Sequence, residues 1–259
     1  MKVVLLAGGL GTRISEESHL KPKPMIEIGG IPILWHIMKY YSQFGINEFI
    51  ICCGYKAYVI KEYFASYYLH RSDVTFDFGN SNSMTIHNNM SENWRVTLVD
   101  TGLNTMTGGR LKRVRDYIGN ETFMMTYGDG LSDVNVSKLL KAHGAGGKML
   151  TLTAVRVAQK FGVIEIGKGN LIRSFREKSV QDDHRINGGF MVIEPGIFDY
   201  IEGDETVFEK EPLETAASMG ELMAFKHDGF WQCMDTQRDK LLLEELWQSG
   251  NAPWKVWEA

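Results

Sequence analysis

A short apolar run that breaks directly into a glycine loop constrains this chain more than any other feature. Val3-Val4-Leu5-Leu6-Ala7 is followed at once by Gly8-Gly9-Leu10-Gly11-Thr12-Arg13. Consecutive apolar residues with no polar alternation suit a strand buried on both faces, which is the environment of a parallel sheet. Glycines placed directly after such a strand let backbone N–H groups approach an anion without side-chain obstruction. The run is too short for the apolar core of a signal peptide, and a buried first strand is the better reading. No stretch reaches the ~18 apolar residues of a membrane span.

The same alternation continues. Pro32 opens an amphipathic helix with Ile33, Leu34, Ile37, Met38 and Tyr41 on one face. Phe49–Cys53 reads as a second strand followed by a helix over 57–68, and Val96–Val99 as a third followed by a helix around 109–117. Phe123–Tyr127 reads as a fourth. Strands and helices in this order predict an α/β fold: a Rossmann-like, mainly parallel sheet flanked by helices. After about Gly147 the pattern changes. Met149–Val155, Val163–Ile166, Ile172–Phe175 and Gly189–Ile193 are short strand candidates without full helices between them, which predicts a smaller antiparallel extension of the same sheet. A last helix over 236–247 takes Thr236 as its cap and buries Leu241, Leu242 and Leu246. The polar, Asn- and Ser-rich segment 72–93 has no periodicity that fixes its conformation. At 259 residues the chain fits a single domain with elaborations.

Composition narrows the function classes. A net charge of −4 without a dominant Lys/Arg cluster argues against nucleic acid as partner, and nothing points to a membrane. Three cysteines, two of them adjacent at Cys52 and Cys53 in an apolar run, read as buried thiols in a reducing compartment, so the expected location is cytoplasmic. The seven histidines show no metal-ligand spacing, which argues against zinc.

A small anion remains as the ligand. Thr12 adds a hydroxyl to the loop, and Arg13 and Lys23 add charge, with Pro22 and Pro24 restricting the backbone around Lys23. Two better-known phosphate loops do not fit. A dinucleotide fingerprint needs a third glycine where Ile14 stands, and a P-loop needs Gly-Lys-Ser/Thr, whereas the Gly-Lys pairs here continue with Met149 and Gly169. Asp129, in Tyr127-Gly128-Asp129-Gly130, reads either as a strand-end turn or as a carboxylate facing the crevice for Mg²⁺. Asp235 suits a helix cap, and Asn187-Gly188 a turn into a strand.

Leu6-Ala7-Gly8-Gly9-x-Gly11-Thr12-Arg13 followed by Lys21-Pro22-Lys23-Pro24-Met25 resembles the signature of the sugar-phosphate nucleotidyltransferases, and the likeness runs over essentially the whole chain. Within that family, residues 51–56, 105–113, 126–130 and 252–255 most resemble the glucose-1-phosphate cytidylyltransferases. The resemblance implies transfer of CMP from CTP to glucose 1-phosphate with Mg²⁺ as cofactor. It implies a nucleotide-binding half over 1–146 and a sugar-phosphate-binding half over 147–259. Nucleotide contacts would come from Leu6, Ala7, Gly8, Gly9, Gly11, Thr12, Arg13 and Lys23, with Thr105, Arg110 and Gly128 further along. Arg13, Lys23 and Asp129 would be catalytic, and Asp129 and Asp235 would hold the metal. Glu177, Lys178, Asn187 and Gly188 would bind the sugar phosphate, although Ser179 stands where the family motif has proline. The resemblance further implies a homo-oligomer, a hexamer, in which the loop carrying Arg110 reaches nucleotide in sites shared between neighbouring subunits.

Overall fold

A computed structural model describes residues 1–156, 163–166, 171–176 and 185–258; the side chains of 13, 15, 16, 163–166 and 172–176 lie outside the description. The first strand, β1 (Lys2–Leu6), takes the centre of the sheet. It pairs in parallel with β2 (Glu48–Cys53), which pairs in parallel with β3 (Arg95–Asp100). On its other side β1 pairs in parallel with β4 (Phe123–Tyr127), so that Val3 faces Phe49 on one flank and Met124 on the other. Burial on both faces follows the side-chain alternation of a strand. Val3 and Leu5 join a core with helices α1 (Ile33–Ser42) and α2 (Ala57–Ala65). Val4 and Leu6 join a second core with α3 (Thr107–Arg113). The helix expected over 57–68 breaks at Ser66, where the chain leaves helical geometry before a further turn at Tyr67–His70.

Beyond β4 the chain makes the short strand β5 (Gly130–Ser132) and helix α4 (Val136–Gly146), capped by the Asn135 side chain. Strands β6 (Leu150–Arg156), β7 (Arg185–Asn187) and β8 (Met191–Ile193) extend the sheet: β8 pairs antiparallel with β4 and with β6, and β7 antiparallel with β6. The expected antiparallel extension is therefore present. Past Ile193 the chain adds elements beyond those expected. Helix α5 (Glu211–Ser218) precedes β9 (Leu222–His227), and β9 runs parallel to β6. Val163–Ile166 and Ile172–Arg176 pair with each other rather than with the eight-stranded sheet. Residues 73–87, left open by the sequence, form a two-stranded hairpin, Asp73–Asp77 against Ser83–His87.

The chain closes with β10 (Trp231–Cys233), antiparallel to β5, and α6 (Gln237–Gln248). Thr236 caps α6 as expected, in a capping box with Asp239. The buried stripe differs from expectation: Leu241 and Leu242 are exposed, and Leu243 is fully buried with Leu246 and Trp247 packed beside it. Positions 243, 246 and 247 are three and four apart and share one face, whereas 241 and 242 fall on the other side of the turn.

That stripe lands on the Gly29 turn. Gly29 has φ +61°, its N–H donates to Glu244 at 2.8 Å, and a Cβ there would lie 1.9 Å from the Trp247 ring nitrogen. Beneath it His36 is enclosed by the rings of Trp35, Trp247, Trp254 and Trp257. Trp254 Nε1 donates to His36 Nδ1 at 3.4 Å, which leaves His36 Nε2–H to donate to the Ile28 carbonyl at 2.9 Å. Burial, against the pull of the Ile28 and Ile31 carbonyls, pushes the imidazole down from 6.5 to about 4. A folded-state pKa below the unfolded one means that this group's contribution is complete above pH 6.5 and is lost as pH falls through about 4. The stability advantage of the native protein over His36→Leu should therefore shrink by about 1.4 kcal/mol per pH unit across that window. Urea unfolding of both proteins at several pH values checks this, and a pH-independent gap would contradict it.

Candidate active site

The glycine loop leaves the end of β1 and is held from two sides. Gly128 N–H donates to the Leu6 carbonyl at 3.0 Å, and Tyr55 N–H donates to the Gly8 carbonyl at 3.1 Å. A cavity of about 390 Å³ opens over the loop. Leu6, Ala7, Gly8, Gly9, Gly11 and Thr12 form its floor, and Lys23, Thr105, Arg110, Gly128 and Asp129 complete its wall. Arg13 lies in the Thr12–Ile14 turn, with its side chain outside the described residues. A second cavity, of about 440 Å³, lies beyond Asp129 and Tyr127, which line both. Asn187, Gly188, Glu209, Trp231 and Asp235 are on its wall. Glu177 and Lys178 lie outside the described residues.

Between the cavities stands Lys23. Its ammonium donates to Asp129 Oδ2 at 2.6 Å and to Asp235 Oδ1 at 2.5 Å. Three structural devices converge here. Lys23–Met25 is a tight 3₁₀ turn entered through Pro22, which fixes the direction of the lysine. Asp129 follows the end of β4. Asp235 follows β10, whose antiparallel pairing sets Cys233 opposite Gly130, and Met234 N–H donates to the Asp129 carbonyl at 2.9 Å. Asp235 thus does not cap α6, since Thr236 does that. Burial opposes the charge on Lys23, but the two carboxylates outweigh it and hold the ammonium above its ordinary pKa.

Arg110, expected at the nucleotide, lines the glycine-loop cavity and is held by its own chain. Its guanidinium donates to Thr101 Oγ1 at 2.8 Å and to the Gly102, Leu103 and Cys53 carbonyls at 2.7, 3.2 and 3.4 Å. It is tied into its own chain beneath the glycine loop. A Cβ on Gly8 would lie 2.1 Å from Arg110 Nη1, so this glycine is required by the arginine packed under it.

The far cavity contains a group that sequence reasoning missed. Glu209 accepts from Tyr127 Oη at 2.7 Å and from Thr107 Oγ1 at 2.6 Å. In sequence it stands in Phe208-Glu209-Lys210-Glu211, an ordinary solvated charge run, and no local signal distinguishes it. Asn187, expected at the sugar phosphate, lines the same cavity. The chain between β7 and β8 bulges at Gly188–Phe190, with Gly189 at φ +74°, and the Asn187 amide donates to Tyr127 Oη at 3.1 Å. Among the described residues no group of three or more His, Cys, Asp or Glu is placed to hold a metal, so protein oxygens here come in a pair.

A strand-end glycine loop beside a lysine shared by two carboxylates, with a cavity on either side, defines an α/β protein built to hold a polyanion next to a second ligand. The chain belongs to the nucleotidyl transferase family, whose profile matches residues 2–236. It is 59% identical, over all 259 residues and the whole of the relative, to the glucose-1-phosphate cytidylyltransferase of Salmonella typhimurium. A probable glucose-1-phosphate cytidylyltransferase of Bacillus subtilis is 43% identical, over 99% of this chain and all of that one. Among solved structures, HddC from Yersinia pseudotuberculosis superposes with a TM-score of 0.67 at 24% identity, over 95% of this chain and 99% of that one, which is a likeness of fold.

Because Lys23 is only 8% exposed and both Asp side chains lean on it, its removal should cost stability as well as activity. Lys23→Met is expected to lose roughly 10²–10³-fold in turnover and about 1–3 kcal/mol in stability, the scale of hydrogen bonds to charged groups. Turnover and denaturant unfolding measured on one preparation test both; a variant as active as the native protein places the ammonium outside the reaction.

Proposed function

We infer that this enzyme transfers CMP from CTP to α-D-glucose 1-phosphate, giving CDP-glucose and pyrophosphate. The observation that carries the reading is the lysine–dicarboxylate trio standing between two cavities in a chain 59% identical throughout to a glucose-1-phosphate cytidylyltransferase. In this reading the glycine-loop cavity takes the nucleotide and the cavity beyond Asp129 takes the sugar phosphate. The acceptor needs no general base, because a phosphate monoester with a second pKa of about 6 is already largely dianionic at neutral pH. Its oxygen attacks the α-phosphorus and pyrophosphate leaves. The obstacle is repulsion between two polyanions, so the protein's work is to align them, neutralise charge and exclude water.

Residues divide that work. Glycine-loop N–H groups and Thr12 face the triphosphate, with Arg13 and Lys23 opposite the charge that grows on pyrophosphate. Lys178, Glu177, Asn187 and Gly188 serve the sugar phosphate. Asp129 and Asp235 fit Mg²⁺: they are oxygen donors that already share one cation, and Mg²⁺ characteristically takes one or two carboxylates and completes its shell with phosphate oxygens and water. Bound there, it would supply Lewis-acid neutralisation of the phosphates.

The enzyme works in the cytoplasm, in keeping with its free, buried Cys52 and Cys53; no described helix is long and apolar enough to cross a membrane. It works as a homo-oligomer, and the 73–87 hairpin supports this. Val74, Phe76, Met84 and Ile86 are paired across its two strands on one face, and Phe76, Met84 and Ile86 are exposed. A bare two-stranded hairpin is marginal in water without a cover for such a face. Sedimentation should show no monomer at micromolar concentration; a monomer sedimenting alone would refute this part.

Cytosine presents an amino donor where uracil presents a carbonyl, so one backbone group can separate them. Pyrophosphate release with glucose 1-phosphate should be fastest with CTP, slower with UTP and dTTP, and abolished by EDTA. Asp129→Asn and Asp235→Asn should each nearly abolish it with the fold intact. Equal turnover of CTP and UTP at low concentration would sink the base assignment. No release with any nucleotide would instead point to a binding protein on this fold.

A further inference from the structure

Glu209 is placed in the far cavity by two hydroxyls whose direction is fixed. Thr107 Oγ1 accepts from the Phe208 N–H at 2.9 Å, so its own proton is committed to Glu209 Oε2. Tyr127 Oη accepts from the Asn187 amide at 3.1 Å, so its proton is committed to Glu209 Oε1. Burial, with the Glu209 carboxylate second, pushes the Tyr127 phenol well above its ordinary range, and it remains a donor. Both carboxylate oxygens are therefore acceptors, each with a further lone pair. Whatever meets Glu209 in the cavity must donate. A phosphate group cannot, and like charge repels it; a sugar hydroxyl can.

We propose that Glu209 is a specificity-determining residue that accepts a hydroxyl of the glucosyl ring, turning the sugar's hydroxyl edge toward Glu209 and its phosphate away. This rests on the functional reading above. It also links the cavities: Thr107 lines the nucleotide cavity, Glu209 lines the other, and the 2.6 Å bond between them fixes the carboxylate from the nucleotide side. A ribose hydroxyl of the nucleotide has the same chemistry as a glucosyl one, so the test must separate the two.

The test compares kcat/KM of the native enzyme, Glu209→Ala and Glu209→Gln on glucose 1-phosphate, on its 2-, 3-, 4- and 6-deoxy analogues, and with 2′-deoxy-CTP and 3′-deoxy-CTP. The native enzyme should lose roughly 10–100-fold on one deoxy sugar, the scale of one hydrogen bond to a charged acceptor. In Glu209→Ala that penalty should fall to within about 3-fold while the other deoxy penalties and those of both deoxy nucleotides persist. A merely structural role would depress all substrates together and leave the pattern intact. Thr107→Val serves if the Glu209 variants fold poorly: it should raise KM for glucose 1-phosphate although Thr107 lines the nucleotide cavity. Unchanged deoxy-sugar penalties in the variants overturn the inference, as does a penalty that collapses only for a deoxy nucleotide. A native enzyme that does not turn over glucose 1-phosphate with CTP overturns the functional reading itself, and is distinguishable because no variant is needed to see it.

Discussion

The ammonium of Lys23 is the point on which the architecture turns. Two carboxylates close enough to share one cation repel each other unless that cation is present, and each comes from a different part of the chain, 106 and 212 residues away. The parallel half of the sheet supplies two of the three groups, because the ends of β1 and β4 are neighbours by pairing and the loop after β1 leads to Lys23. The third requires the chain to come back. The β5–β10 pair does this, since its antiparallel register delivers Asp235 next to Asp129. Downstream of both Lys23 and Asp235 the chain is clamped again, where Trp247 of α6 covers Gly29. Lys23 and Asp235 thus lie on segments fastened on both sides of their contact, and a geometry of this kind is what a preorganised site needs.

The parts of the fold legible in the sequence are those whose burial is symmetrical or strongly periodic. Strands β1, β2 and β4 show nearly continuous apolar runs because both of their faces are covered, and α1 is apolar along most of its length. Helix α4 escaped notice because its second half, Ala142-His143-Gly144-Ala145-Gly146, carries two glycines that weaken any helical reading. Helix α5 is eight residues long, too short for its period to be separated from that of a loop. The hairpin at 73–87 does alternate, but both strands are exposed and its turn, Phe78 to Asn82, is rich in residues common in any polar loop. Leu241 and Leu242 misled for a plainer reason: three consecutive leucines cannot all face the core of one helix, and only tertiary packing selects Leu243.

Residues of the site divide along the same line. Lys23 and Asp129 carry backbone-directing neighbours, prolines beside the lysine and Gly-Asp-Gly at a strand end, whereas Asp235 by itself reads as a helix cap and is singled out only by the family resemblance. The partners that hold Arg110, the Thr101 hydroxyl and the main-chain carbonyls of Cys53, Gly102 and Leu103, have no signature in a sequence. Buried and hydrogen-bonded to carbonyls, a guanidinium acts as a rigid strut, and Gly8 is the residue that makes room for it. Glu209 was invisible, since its place depends on Thr107 and Tyr127, 102 and 82 residues away.

Charge arithmetic shows why the glycine loop and the trio belong together. At neutral pH two aspartates against one lysine leave the trio a single negative charge, so it does not by itself attract a triphosphate. The ammonium has three protons, and two are engaged with the carboxylates. Attraction must come from elsewhere. Main-chain N–H groups over Gly8 to Thr12 present partial positive charge without adding a side chain that would fill the cavity. A divalent cation on the two carboxylates would reverse the sign of the trio and release the lysine to meet phosphate oxygens. The acidic pair beside Lys23 keeps the lysine charged and in place while buried.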